Sequence, residues 1–182
     1  MKVLFWDPGL SHLGWAVIEI GTARSRVLGS GVLGERNSER HWTERLDELA
    51  SGILDVFERW LPDVAGYEDQ SGVEVAMQRD GTGTNYSSRR LHEVCGMLRF
   101  AARCALDQAL PCYCLQPRSI KVALLGKGHA DATKDQVQRA VKVLFGVVGN
   151  QHECDAIAGA VAAGRAHRME LSKRQRSASV IH

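Results

Sequence analysis

The sequence predicts a single α/β domain built on a five-stranded mixed sheet, an antiparallel meander followed by parallel strands, with helices on both faces. Two observations in its 182 residues lead to this prediction. Residues 1–33 contain three apolar or alternating segments joined by short turns, which is typical of an antiparallel meander. Beyond residue 40, segments with helical spacing alternate with short apolar segments, which is typical of parallel strands joined by crossover helices.

Five short apolar segments are the predicted strands, and they span residues 2–6, 14–20, 25–33, 63–67 and 112–116. The first strand ends at Asp7-Pro8-Gly9, which is a turn signal, and residues 21–24 form a hairpin turn between the second and third strands. The fourth strand leads directly into Glu68. We expect the first strand to be central with the fourth beside it, and functional residues to collect at the carboxyl ends of the strands.

The spacing of apolar residues predicts five helices, over residues 42–60, 87–109, 118–125, 133–145 and 152–166. Pro117 suits the first turn of the third helix, and Thr133 suits the N-cap of the fourth. Residues 71–86 are rich in Gly and polar side chains and predict a long mobile loop. Residues 167–182 carry basic side chains among Ser and Gln, so we expect a disordered basic tail after a folded domain of residues 1–166.

Composition excludes several classes of protein. With 45% hydrophobic and 24% charged residues, the chain is neither disordered, nor collagen-like, nor a coiled coil. It contains neither a signal-peptide pattern nor an apolar run of the roughly 20 residues that a membrane helix needs, so we expect a cytoplasmic protein. Its five cysteines include no Cys-x-x-Cys pair, which favours reduced thiols; a zinc site around Cys112 and Cys114 is the alternative.

Charge is distributed unevenly although the net charge is only +2. Residues 1–111 hold 12 basic and 16 acidic side chains, whereas residues 112–182 hold 11 basic and 5 acidic ones. This distribution suits a protein that holds cations in one place and phosphates in another, and it equally suits a solvated surface with a basic tail.

Four side chains are expected to converge at one edge of the sheet. Asp7 ends the first strand, Glu68 ends the fourth, and His152 and Asp155 share one face near the start of the last helix. Carboxylates packed together repel each other, and a divalent cation removes that penalty. Carboxylate oxygens, water and one imidazole suit Mg²⁺ or Mn²⁺, and two such ions can activate a water and stabilise the leaving oxygen of a phosphodiester.

Each of these residues also has a purely structural interpretation. Asp7 precedes Pro-Gly as many turn residues do, and Glu68 could be a solvated strand end. His152 and Asp155 could cap the last helix or complement its dipole.

Four motifs, in order, resemble the RuvC family of Holliday junction resolvases, within the RNase H-like nuclease superfamily. The first hairpin reads VLFWDPGLSHLGWAVIE, and the strand before the acidic residue reads PDVAGYEDQ. The third motif, PRSIKVALLGKGHADATKDQV, holds two lysines around a GxG turn, and the fourth, HECDAIAGAVAAG, lies on the last helix. The resemblance covers residues 1–166.

The resemblance implies a role for each matched residue. Asp7, Glu68 and Asp155 would be metal ligands, and His152 would be a further ligand or would orient the attacking water. Lys121 and Lys134 would contact DNA phosphates. The implied enzyme uses Mg²⁺, with Mn²⁺ as a substitute and two ions per site, and leaves 5′-phosphate and 3′-hydroxyl ends.

The resemblance also implies partners: a four-way DNA junction, a second copy of the chain and a branch-migration helicase. The helix at 87–109 would contribute to a homodimer interface, although its apolar face equally suits the core. Two departures from the family pattern fall near the DNA. The loop at 71–86 is longer than in typical bacterial members, and Ser71 stands where the family often has an aromatic residue, with Tyr86 or Met77 as substitutes. The length, the basic tail and the divergence from the family pattern would suit a phage- or plasmid-borne relative. We expect a cytoplasmic protein that is associated with the nucleoid if it is bacterial and acts in the host cytoplasm if it is phage-encoded.

Two other functions remain open at this point. One is a broader nuclease for forks, flaps and other branched DNA, and the other is a catalytically weak junction-binding protein. A two-lobed ATPase of the sugar-kinase or actin kind is disfavoured, because 182 residues leave no room for the second lobe.

Overall fold

A computed structural model describes residues 1–9, 11–34, 40–70, 85–104 and 110–179, with the side chains of residues 85–88 left out. The strands in these ranges are β1 (Lys2–Asp7), β2 (Leu13–Ile20), β3 (Ser25–Leu33), β4 (Val64–Glu68) and β5 (Cys112–Leu115). The helices are α1 (Trp42–Trp60), α2 (Asn85–Cys104), α3 (Pro117–Leu125), α4 (Lys134–Phe145) and α5 (Gln151–Ser179).

The strands form one mixed sheet in the order β3-β2-β1-β4-β5. β1 pairs antiparallel with β2, and β2 with β3, whereas β1 pairs parallel with β4, and β4 with β5. The predicted five-stranded mixed sheet is therefore confirmed, with β1 at its centre and β4 beside it.

Helices cover both faces of the sheet because side chains alternate along its central strand. Val3 and Phe5 point to the face covered by α3, α4 and α5. Leu4 and Trp6 point to the other face, which α1 and α2 cover. Of the apolar residues predicted on α2, Val94, Leu98 and Ala102 belong to this second core, and Leu91 is also buried, which confirms the core interpretation for that face of the helix.

Helix α5 packs unusually close to the sheet because its buried face is made of small residues. Ala156, Ala158 and Ala160 are fully buried. A Cβ built on Gly159 would lie 2.0 Å from Cε1 of Phe5, and one on Gly164 would lie 2.1 Å from Cδ1 of Ile20. The first turn of α5 is thereby brought against the edge of the sheet where β1 ends.

Thr133 is the N-cap of α4, as predicted. Its hydroxyl accepts from the Gln136 backbone N–H while the Gln136 side chain accepts from the Thr133 backbone N–H. This capping box satisfies two backbone donors and fixes where α4 begins.

The prediction of a disordered tail is wrong over residues 167–179, which continue α5 as a helix. The Tyr113 hydroxyl donates to the Glu170 carboxylate over 2.7 Å, and Glu170 also pairs with Arg174. Arg168 donates to the backbone carbonyl of Gly21. Strand β5 and the β2–β3 turn therefore hold the first turns of this extension, and residues 180–182 lie outside the described residues.

Two further sequence predictions have a structural outcome. All five cysteines are free thiols, as expected. Within the described ranges, no helix combines the length and the apolar character that crossing a membrane requires.

Candidate active site

The register of the two central parallel strands brings Asp7 and Glu68 side by side. Trp6 of β1 is paired with Tyr67 of β4, so the next residues along the strands are Asp7 and Glu68. Strand β1 ends at Asp7 and strand β4 ends at Glu68. The two carboxylates thus lie at the carboxyl edge of adjacent strands, as the sequence predicted.

The first turn of α5 places His152 and Asp155 beside this pair. Nδ1 of His152 donates to Oδ2 of Asp7 over 2.8 Å. Gly14, opposite Asp7 on β2, permits this approach, because a Cβ there would lie 2.6 Å from the His152 carbonyl oxygen. A side chain at position 14 would therefore push the start of α5 away from the strand.

Capping of α5 is carried by neighbouring residues. The Asn150 side chain accepts from the Glu153 backbone N–H, and the Glu153 carboxylate accepts from the Asn150 backbone N–H. Because Asn150 and Glu153 satisfy these donors, His152 and Asp155 face the cavity at the sheet edge instead.

All six residues that were predicted to be catalytic or to contact DNA phosphates line one cavity of about 290 Å³. They are Asp7, Glu68, Lys121, Lys134, His152 and Asp155. Lys121 comes from α3 and Lys134 from the first turn of α4, so five separate elements contribute to the cavity. A cavity with three carboxylates beside two ammonium groups can hold cations and phosphate oxygens close together.

The carboxylates in this cavity are difficult to ionise together. Burial, with the nearby charges of Asp7 and Asp155, raises the pKa of Glu68 to about 7. Burial and the charge of Asp7 also raise the pKa of Asp155. Lys134 opposes both shifts, but its single charge does not offset burial and mutual repulsion. The site therefore favours an added positive charge.

The imidazole of His152 is held from two sides. Its hydrogen bond to Asp7 is the main cause of a raised pKa, against an opposing effect of burial. The ring of His12 stacks on it with centroids 5.4 Å apart and planes 5° from parallel. With Nδ1 on Asp7, the other ring nitrogen, Nε2, is the atom left for an incoming group.

Two residues at the site were missed in the sequence. Gln70 is only 8% exposed, and its side-chain N–H donates to Glu68 over 3.4 Å. Its place two residues after Glu68 is a local signal that could have indicated this contact. His12 had no such signal, because its stacking on His152 depends on the antiparallel pairing of β2 with β1.

Three predictions concern residues whose side chains the structure does not describe. Ser71 and Met77 lie outside the described residues, as does most of the loop predicted at 71–86. Tyr86 lies within helix α2, not in that loop. The part of α2 predicted at 105–109 also lies outside the described residues.

The donor set fits a hard divalent cation, although it does not form a complete cage. Carboxylate oxygens and an imidazole nitrogen are ligands suited to Mg²⁺ or Mn²⁺. Among the described residues, no three of His, Cys, Asp or Glu are grouped closely enough to enclose a metal ion by themselves. Mg²⁺ is commonly held by one or two carboxylates, with water and substrate phosphates completing its shell.

Comparisons with known proteins identify the family and the fold. A sequence model of the family described as "Crossover junction endodeoxyribonuclease RuvC" matches residues 3–167. The protein of that name from Hyphomonas neptunium is 31% identical over 181 residues, which cover 98% of each chain. The Thermus thermophilus RuvC structure superimposes with a TM-score of 0.74 at 26% identity, covering 93% of this chain and 97% of the other.

A second structure of the Thermus thermophilus protein, in complex with a Holliday junction substrate, shares the fold. Its TM-score is 0.74 at 24% identity, covering 93% of this chain and 96% of that one. Because the family match spans nearly the whole described domain and a relative aligns over almost the full length, the chain belongs to the RuvC family of crossover junction endodeoxyribonucleases.

Proposed function

We propose that this chain resolves Holliday junctions by metal-dependent hydrolysis of one phosphodiester in each of two opposed strands. The products are 5′-phosphate and 3′-hydroxyl ends. One observation carries the proposal: in a member of the RuvC family, Asp7, Glu68 and Asp155 share a cavity with two lysines and a histidine. A protein that only bound DNA would have no need for buried carboxylates at a surface that meets phosphates.

Lys121 and Lys134 are the proposed phosphate contacts. They stand on two different helices beside the carboxylates, so a phosphodiester that reaches the cavity meets both ammonium groups. The relative from Thermus thermophilus has been seen with a Holliday junction substrate, which supports the same class of DNA here.

Asp7, Glu68 and Asp155 are the proposed ligands of two Mg²⁺ ions, for which Mn²⁺ can substitute. The raised pKa values of Glu68 and Asp155 support this assignment, since such a site is stabilised by added positive charge. When bound, these ions would lower the pKa of the attacking water and stabilise the leaving oxygen.

His152 is the proposed residue that orients the attacking water. Asp7 holds Nδ1, which leaves Nε2 of this cavity-lining residue as the nitrogen for a water. Water attacks phosphorus in line, the bond from phosphorus to the 3′ oxygen breaks, and that oxygen takes up a proton. Lys134 lies close enough to lower the pKa of both Glu68 and Asp155, and it would also offset negative charge on the phosphate.

A homodimer is the proposed working form, because one cavity cuts one strand. On α2 the residues Leu91, Val94 and Leu98 are buried in the chain's own core. A dimer contact on this helix must therefore use its outer face, where Phe100 is 68% exposed.

The test is a cleavage assay on a synthetic four-way junction, a fork and a linear duplex, with Mg²⁺, Mn²⁺ or EDTA. We expect paired symmetric nicks in the junction alone, lost in EDTA. Asp7→Asn should abolish cleavage and retain junction binding. Asp135→Asn is the matched control, because Asp135 lies next to Lys134 in sequence but outside the cavity.

Three results would contradict parts of the proposal. Normal cleavage by Asp7→Asn would show that the site is assigned wrongly. Equal cutting of forks and junctions would indicate a broader branched-DNA nuclease. Tight junction binding without cutting in either metal would indicate a junction-binding protein.

A further inference from the structure

A second cavity, of about 970 Å³, lies at the other end of the sheet from the candidate active site. It is lined by Ile18 and Ile20 at the far end of β2, whereas the site lies beside Gly14. Helix α4 begins at the site with Lys134 and reaches this cavity with Leu144, a rise of about 15 Å. The two cavities are therefore separate.

The rim of this cavity is rich in arginine. Arg24, Arg26, Arg165 and Arg168 line it, and the acidic residue among its lining is Glu19. Arg26 pairs with Glu19 over 2.7 Å, and Arg168 donates to backbone carbonyls of the β2–β3 turn. Within the part of the chain that the structure describes, the guanidinium groups of Arg24 and Arg165 make no hydrogen bond or ion pair. The rim thus presents positive charge in excess of its own partners.

The floor of the cavity is apolar and continues onto the surface of α4. Ile20, Phe145 and Val161 contribute to the floor, and Leu144 is 58% exposed. A shallower groove shares Leu144 and adds Val143, which is 83% exposed. An apolar strip with a guanidinium rim is typical of protein interaction surfaces, where arginine is enriched.

The arginine rim and the apolar strip together indicate which class of partner this surface binds. A second copy docked by two-fold symmetry would set this arginine rim against itself. Duplex DNA would match the arginines but would leave the apolar strip without a partner. A protein segment with carboxylates and apolar side chains matches both features.

We propose that the groove formed by Arg24, Arg165, Leu144 and their neighbours is a docking site for an acidic, apolar segment of a partner protein. Such a segment lays its apolar side chains on α4 and α5 and pairs its carboxylates with the rim. The site is remote from the catalytic cavity, so a partner could be held there while the chain engages DNA.

The test selects random 12-residue displayed peptides on the full chain and measures the affinity of recovered peptides by fluorescence anisotropy. We expect peptides enriched in Asp or Glu together with Leu, Ile or Phe, with micromolar affinity. Arg24→Glu/Arg165→Glu and Leu144→Ser should each weaken binding at least tenfold. Arg176→Glu and Leu171→Ser, exposed on α5 beyond the cavity, are the matched controls and should leave affinity unchanged. All of the altered side chains are exposed, so the two groove variants and the two control variants are expected to fold.

Four outcomes would overturn the proposal. Two of them concern the peptide selection. In the first, every recovered peptide binds the unaltered chain and the two groove variants with equal affinity. In the second, the peptides that prefer the unaltered chain lack acidic residues. If Arg24→Glu/Arg165→Glu instead weakens junction binding, the groove binds one of the DNA arms of the junction. If Leu144→Ser changes the molecular mass in solution from dimer to monomer, the groove is an interface between copies. Junction cleavage by the groove variants should match the unaltered chain, which separates this test from that of the proposed function.

Discussion

Glu68 makes the stability of the metal-free protein depend on pH. Its pKa in the folded protein is raised to about 7, from an ordinary value of 4.5, because of burial and neighbouring carboxylates. The folded state therefore binds this proton more tightly than the unfolded state does. The resulting stabilisation is fully present below pH 4.5 and is lost as the pH rises to about 7.

Glu68→Gln should therefore stabilise the metal-free protein at high pH. We expect the variant to exceed the unaltered chain by about 1–3 kcal/mol in free energy of unfolding at pH 8.5 in EDTA, and to differ little at pH 5. Denaturant unfolding at the two pH values measures this difference. Glu58→Gln, an exposed position on α1, is the control without a pH-dependent gain. A variant less stable than the unaltered chain at pH 8.5 would mean that the Glu68 carboxylate is not destabilised by its surroundings.

The two lysines of the cavity should be separable by titration. Lys134 lowers the pKa of Glu68 and of Asp155. Lys121 is not among the main causes of either pKa shift. Lys134→Ala should therefore raise the Glu68 pKa further, and Lys121→Ala should move it less. Carboxyl carbon NMR of the metal-free protein measures both. Each variant should also lower the salt dependence of junction binding by about one unit of slope, if both lysines contact phosphates.

Site residues could be predicted from the sequence where a nearby sequence pattern fixed their position. Asp7 and Glu68 each end a recognisable strand, and His152 and Asp155 are three apart on a helix, so their convergence followed from strand order. The lysines came only from the family resemblance, because no local pattern marks a helix residue that faces a distant strand end. The His12 stack on His152 could not be predicted, since it needs the three-dimensional pairing of β2 with β1.

At the scale of elements, the position of helix α5 at the site depends on Gly159, which lets the helix pack closely against Phe5. Gly159→Ala should destabilise the fold by about 1–3 kcal/mol, because the new methyl group would meet the Phe5 ring at 2.0 Å. Relief of that clash would move the start of α5, so junction cleavage should fall as well. Thermal unfolding and cleavage rates of the same preparations measure both effects.

Gly96→Ala is the matched control for this substitution. Gly96 lies on α2, and no atom of the described residues lies within 4 Å of a Cβ built there. The change should stabilise the protein by up to about 1 kcal/mol, since alanine favours helices more than glycine does. Equal effects at positions 96 and 159 would contradict the close packing of α5 against Phe5.

Element prediction failed where tertiary contacts outweighed local composition. The segment after residue 166 contains Ser, Gln and basic residues and was expected to be disordered, yet it is helical to Ser179. The stabilising contacts come from Tyr113 on β5 and from carbonyls of the β2–β3 turn, both distant in sequence. By contrast, α1 and α4 were predicted within a residue or so because their apolar faces and caps are encoded locally.

At the scale of the whole molecule, the described part of the chain presents the proposed catalytic residues in one cavity. In the described residues the parallel strands β1 and β4 both end at one edge of the sheet, and the first turn of α5 meets that edge through the hydrogen bond between His152 and Asp7. Symmetric cutting of a four-way junction requires two such edges at a fixed separation. A second copy of the chain is the direct way to supply the second edge.

Phe100→Asp should therefore separate dimerisation from chemistry. Phe100 is 68% exposed on the outer face of α2, while the opposite face is buried in the core, so the substitution places a charge on the proposed dimer contact without entering the core. We expect light scattering to show the monomer mass, and junction cleavage to change from paired nicks to single nicks at a lower rate. Leu54→Asp, another exposed apolar position but on α1, is the control and should remain a dimer. A dimeric Phe100→Asp variant that still makes paired nicks would place the contact elsewhere. A monomeric variant that still makes paired nicks would mean that each chain can cut twice before the junction dissociates.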